Sequence, residues 1–173
     1  HCRVVASNDR FLGYAYVNPH ALICARILGR DPGFAPGKSL IVHRLQIALA
    51  LREKLYAQPF YRLVYGESDG LPGLVLDRFG DIVVGQIGTA GMEAMKPAIV
   101  EAIDKVLGPK ALIWKNDSGA RELEGLPSYV ETALGPDIEE TVVEENGVRF
   151  FVPMGHGQKT GWFYDQAYNR RAL

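Results

Sequence analysis

The chain has 173 residues, 47% of them hydrophobic and 23% charged, with a formal net charge of −1. This is the composition of a folded globular protein with enough chain for one core or two small ones packed together. It excludes a helical membrane span, because no apolar run approaches the roughly 20 residues a bilayer requires, and residues 1–10 lack the apolar stretch of a signal peptide.

The first residue is His1 and Cys2–Ala6 is already strand-like, which implies sequence upstream. Cys2–Ser7 and Phe11–Val17 are β-rich runs parted by the turn-forming Asn8-Asp9-Arg10. Asn18-Pro19 breaks the pattern and Ala21–Leu28 supplies a third strand, giving a β-meander. Gly29, Asp31, Pro32, Gly33, Pro36 and Gly37 then mark a linker, so the first boundary falls at residue 36. Ser39 is placed to cap a helix running to about Tyr56. Its apolar face is Leu40, Ile41, Leu45, Ala48, Leu51 and Leu55, with His43, Gln46, Glu53 and Lys54 opposite.

From Tyr61 the period changes. Tyr61–Tyr65 reads as a strand, and Leu74–Phe79 and Ile82–Ile87 flank a Gly80-Asp81 hairpin turn. A helix follows from about Met92 to Leu107, with Pro97 tolerated in its first turn or at a kink and Gly108 as its stop. Ala111–Lys115 is another strand, and Ile138–Glu144 and Val148–Val152 flank Asn146-Gly147, the strongest short hairpin signal. The order strand, strand, helix, strand, strand predicts a compact α+β unit.

Charge is unevenly spread. Residues 1–62 are rich in Arg and Lys, and acids gather around Glu131 to Glu145. Arg3, Arg10, Arg26, Lys38 and Arg44 are therefore the candidate contacts for a nucleic-acid partner. Cys2 and Cys24 are too few and too far apart for a zinc site and read as reduced core residues, with a disulfide across neighbouring strands left open. Gly155–Gly161 is a glycine-rich turn after a strand, a setting in which backbone amides bind anions. It is not a P-loop, since Gln158 separates Gly157 from Lys159. Arg121, Glu122 and Glu124 admit two readings, a charged catalytic cluster or an exposed loop.

Four blocks occur in order along the chain: Gly66-Glu67-Ser68-Asp69-Gly70-Leu71-Pro72-Gly73 running on to Asp81; Asn116-Asp117 with Glu124-Gly125-Leu126; Glu145-Asn146-Gly147 with Phe150; and Gly157-Gln158-Lys159-Thr160-Gly161-Trp162-Phe163-Tyr164-Asp165-Gln166 with Asn169-Arg170. Together they resemble the class I SAM-dependent 23S rRNA methyltransferases, a family that includes cytosine-C5 enzymes. One departure is Ala167, where the family usually has Arg after Asp-Gln.

The resemblance implies a PUA-like RNA-binding module over 1–36, a connecting helix over 37–60, a middle α+β domain over 61–153 and the start of a Rossmann-like methyltransferase domain over 154–173. It implies S-adenosyl-L-methionine as cofactor, 23S rRNA as partner and a cytoplasmic location; the composition gives no membrane contact, and an open edge left by absent domains allows a possible homodimer. Lys159, Thr160, Gly161, Phe163, Asp165 and Gln166 would line the cofactor pocket; the other reading of this stretch is helix capping by Lys159 and Thr160 with an aromatic interdomain core. The strand, glycine turn and ribose-binding acid of a cofactor site, and the nucleophilic cysteine, are expected beyond residue 173. The chain alone is thus expected to be inactive, and the alternative is a stand-alone RNA-binding or adaptor protein.

Overall fold

The computed structural model describes residues 1–154 and 160–172. It is an α+β protein that opens with an antiparallel meander of β1 (Cys2–Val5), β2 (Phe11–Val17) and β3 (Ala25–Gly29), in that spatial order. The third strand starts later than Ala21: the Asn18 amide donates to the Cys24 carbonyl, so residues 18–24 close as a loop. Cys2 is half-buried and Cys24 exposed, and both are free thiols rather than core residues.

Helix α1 (Lys38–Leu55) follows. Ser39 lies inside it; Gly37 is the N-cap, with no side-chain bond there. Ile41, Leu45 and Ala48 are fully buried, whereas Leu51 and Leu55 on the same stripe stay exposed at 48% and 65%. The C-terminal end of that apolar face is therefore not covered.

A five-stranded sheet runs β4 (Phe60–Tyr65), β5 (Leu74–Phe79), β6 (Ile82–Ile87), β7 (Ala111–Asn116), β8 (Tyr129–Leu134). All neighbours are antiparallel except β6 and β7, which are parallel and joined through α2 (Ala90–Ala94) and α3 (Lys96–Leu107). The expected single helix from Met92 is thus two. Met95 separates them, and Pro97 sits in the first turn of α3, where its missing N–H costs nothing. Strand β8 adds to the strands read from the sequence, and β9 (Glu140–Glu145) and β10 (Val148–Pro153) form a separate two-stranded ribbon. Asn146 and Gly147 have φ of 54° and 77°, the left-handed pair a tight hairpin needs.

The two faces of the sheet bury different partners, as the period of two requires. Leu63, Leu74, Leu76, Val83, Leu112 and Trp114 face α1 and α3. Phe79, Ile82, Val84 and Ile113 face the ribbon residues Val143 and Val152. All six positions of β7 are buried. Its Trp114 lies over Gly85, where an added Cβ would come within 2.3 Å of the indole. Tyr16 and Leu28 of the meander belong to the same core as α1 and the sheet, so the meander is packed onto the rest. Among the described residues no helix is long and apolar enough to cross a membrane. The final helix α4 (Ala167–Arg171) is short and follows a 3-10 turn over Tyr164–Gln166.

Candidate functional site

On the ribbon side of the sheet, Arg62 of β4 and Asp77 of β5 are direct register partners. Their bidentate ion pair has Nε–Oδ1 at 2.8 Å and Nη2–Oδ2 at 3.0 Å. Asp77 is completely buried, so its charge is tolerable only because it is fully paired. The Thr160 hydroxyl, also buried, donates to Asp77 Oδ2. The hydrogen bonds that Arg62 donates to Asp77 hold its guanidinium above its usual range. Nearby, the Tyr164 hydroxyl donates to the Arg78 carbonyl at 2.7 Å, and its ring packs on Phe79. Burial pushes that phenol upward.

The segment after Thr160 is also clamped to the ribbon. Arg170 grips Glu145 through Nε and Nη2 at 2.6 and 2.7 Å, and Nη2 also donates to the Phe163 carbonyl at 2.9 Å. Its guanidinium stacks 4.2 Å from the centre of Trp162, which packs on Phe150. These contacts leave Phe163 and Asp165 on the wall of a cavity of about 500 Å³. Its other lining includes Leu51, Leu55, Tyr56 and Tyr65 together with Arg52 and Arg62.

The Gly66–Gly73 stretch forms a second focus. A 3-10 turn over Gly66–Asp69 ends at left-handed Gly70. Asp69 accepts the Tyr65 amide at 2.7 Å and both Arg52 nitrogens at 2.6 and 2.8 Å. This loop receives the meander. The Tyr16 hydroxyl donates to the Pro72 carbonyl at 2.9 Å and shares a hydrogen bond with the Thr89 hydroxyl at 3.0 Å, and burial pushes the phenol up to about 12. Asn18 Nδ2 reaches Glu124 Oε2 at 2.9 Å, and Glu124 also accepts the Ala90 amide. Arg26 pairs with Glu67 at 2.9 Å.

Set against the expected positions, the residues divide. Lys159 lies outside the described residues, as does the Gly155–Gln158 part of the glycine-rich turn. Thr160 is committed to Asp77, and it caps no helix. Gly161 has φ of 110° and backs onto Val152 and Pro153, so it shapes the turn. Phe163 and Asp165 share the cavity wall, and the exposed Gln166 accepts a bond from Asn169 at 2.6 Å. Of the basic candidates, Arg3 and Arg10 are exposed, with Arg3 over the Phe11 ring. Lys38 pairs with Glu101 and Arg26 with Glu67. Arg44 is corrected: its two terminal nitrogens donate to the Leu28 and Gly70 carbonyls, making it an internal strut, and burial lowers its guanidinium. Arg121 is corrected too, since it is buried and donates to the Ile87 and Pro127 carbonyls and to Glu93. Asp77 and Arg62 were missed: on a strand that also carries Arg78, a charged residue read along the chain gives no sign that it faces inward.

Residues 1–30 match the family model of a PUA-like domain. Over 171 residues the chain is 36% identical to ribosomal RNA large subunit methyltransferase I of Aliivibrio fischeri, covering 96% of this chain and 43% of that protein. This chain is a relative of the large-subunit rRNA methyltransferases. The proteins of the same name from Cronobacter sakazakii and Escherichia coli are 34% and 33% identical over 98% of the chain, which covers 44% of each. The chain thus spans less than half the length of the curated relatives it matches. Among solved structures, a candidate SAM-dependent methyltransferase from Streptococcus mutans superposes with a TM-score of 0.81 at 20% identity, over 98% of this chain and 44% of its own. A second candidate methyltransferase, solved with SAH, gives 0.80 at 21% identity over 97% and 43%. These likenesses confirm the fold, and they carry the meander, the sheet and the ribbon together.

Proposed function

We propose that these residues are the RNA-binding and linking portion of a SAM-dependent methyltransferase that acts on a base of 23S rRNA in the cytoplasm, with cytosine C5 the favoured atom. The observation that carries this reading is the collinear relation, over nearly the whole chain, to rRNA large subunit methyltransferases. The match of residues 1–30 to a PUA-like domain supports RNA as the partner. Residues 1–36 serve as the RNA-binding module, 37–60 as the connecting helix, 61–153 as the middle domain and 154–173 as the beginning of the methyltransferase domain. A second copy is a further partner of this reading: β8 is an edge strand, and unpaired edge groups can accept an identical strand. Sedimentation showing only monomer would remove that partner.

The residues that follow Thr160 fit one side of a cofactor site. An exposed aromatic ring, Phe163, and an exposed carboxylate, Asp165, share a cavity wall. They suit an apolar ligand surface and hydroxyl or ammonium donors respectively. Lys159, Gly161 and Gln166 belong to the same proposed rim, while Thr160 acts through its bond to Asp77. S-adenosyl-L-methionine would supply an electrophilic methyl group there. Attack on C6 of a cytosine needs a thiolate, and neither Cys2 nor Cys24 lines this cavity. The polypeptide of these 173 residues should therefore bind RNA and transfer no methyl group.

Two measurements test this. Affinity for an rRNA fragment should fall linearly in log–log form with salt, and Arg3→Ala with Arg10→Ala should reduce the slope by roughly one to two units. Transfer of labelled methyl from SAM to rRNA by the polypeptide should be undetectable. Salt-independent or absent RNA binding would overturn the first part, and measurable transfer the second.

A further inference from the structure

A second cavity, of about 350 Å³, shares Tyr65 with the one just described. Its wall is made by Gly66, Gly73 and Gly88, with Glu67, Gln86 and Ser118 as the polar groups. Gly66 and Gly73 have φ of 52° and 79°. The loop can follow this path only with residues that lack a side chain, and the result is a smooth-sided slot. Gly88 directly follows β6, and Ser118 comes one residue beyond the end of its parallel neighbour β7, after Asp117. The mouth therefore lies at the carboxyl ends of a parallel pair, where loops diverge and leave a crevice.

The chemistry of the wall suits a flat aromatic ligand with a polar edge. The Tyr65 ring is 59% exposed and is steadied by the Arg62 guanidinium 5.3 Å from its centre. Arg62 is in turn fixed by Asp77, so the ring has a rigid support. Gln86 Nε2 donates to the Lys115 carbonyl at 3.1 Å, which orients its amide. Glu67 on the rim is held by Arg26 of the meander. The slot therefore adjoins the RNA-binding module through an ion pair rather than lying on a remote face.

We propose that this slot takes one unpaired base of the RNA, stacked on Tyr65 with its edge toward Glu67, Gln86 and Ser118. Single-stranded RNA is read by stacking splayed bases on aromatic rings, and a cavity of this size is at the lower end of those that hold small organic groups. The proposal rests on the RNA-binding reading above. It adds a site in the middle domain that distinguishes unpaired from paired RNA, which the phosphate contacts of Arg3 and Arg10 do not.

The test uses the full chain and two probes, a single-stranded RNA of about 12 nucleotides and a duplex of equal length. Tyr65→Ala should weaken the single strand about tenfold and leave the duplex unchanged, and Tyr65→Phe should restore binding. A second variant blocks the slot and keeps the ring. A Cβ on Gly88 would meet only the Gly73 carbonyl, at 3.8 Å, so Gly88→Leu can fill the space without backbone strain and should produce the same selective loss. Unchanged single-strand affinity in both variants, with wild-type unfolding midpoints, overturns the slot while leaving the RNA-binding reading intact. Equal losses for single strand and duplex overturn it as well. Absence of binding to either probe by the unaltered chain overturns both.

Discussion

At the scale of single residues, the buried carboxylate of Asp77 ties three parts of the chain together. It joins β4, β5 and the segment after Thr160 through three donors. Removing the charge strands Arg62, whose side chain is 28% exposed, so the cost falls at the low end for a broken buried pair. Asp77→Asn should lower unfolding free energy by about 3 kcal/mol, and Thr160→Val by about 1.5 kcal/mol, both read from urea denaturation. A neutral Thr160→Val would show that this bond does not anchor the segment. Glu145 gives a pH signature. Its bonds from Arg170 hold the carboxyl below its ordinary value of 4.5, so the unfolded chain takes up the proton first. The stabilisation is present above 4.5 and is lost as pH falls through the lower folded value. The gap in stability between the native chain and Glu145→Gln should therefore be constant near neutrality and narrow as the pH falls below 4.5.

At the scale of elements, legibility followed the strength of local signals. The Asn146-Gly147 hairpin and the Gly80-Asp81 turn were plain because a left-handed backbone at Asn146, Gly147 and Gly80 favours Asn and Gly there. Strand β8 was not, because an edge strand whose Val130 and Glu131 are exposed carries little alternation. Ser39 resembled a cap, yet the helix begins two residues earlier, at Lys38, with Gly37 in the capping position, a boundary that local propensity rarely fixes. Helix α2 is held against the meander by a close approach: a Cβ on Gly91 would fall 2.0 Å from the Tyr16 ring. Gly91→Ala should therefore displace Tyr16 and destabilise by about 2 kcal/mol. Amide exchange should show the meander losing protection before β6 and β7.

At the scale of the whole molecule, meander and sheet are one packed body rather than two units on a tether. Tyr16 and Leu28 share the core of α1 and the sheet, while Arg44 spans from the Leu28 carbonyl to that of Gly70. Thermal unfolding followed by near- and far-ultraviolet circular dichroism should accordingly give one coincident transition. Separate transitions would mean that the seam is weaker than its contacts indicate. The rigid seam has a functional consequence under the proposed reading, because it fixes the distance between a PUA-like surface and the cavity beside Phe163.

The amino-acid sequence by itself determined the α+β class, the meander before residue 36, most strands and the family relation. Each of these depends on short-range periodicity, on turn residues with restricted backbone angles, or on ordered motifs. Only the tertiary structure decided which charges are spent inside. Arg44, Arg121 and Asp77 all look solvent-facing when read along the chain, and each is buried or half-buried among partners brought from distant elements. Pairing across such separations leaves no local periodicity, since a charge is stabilised by whatever the fold places beside it.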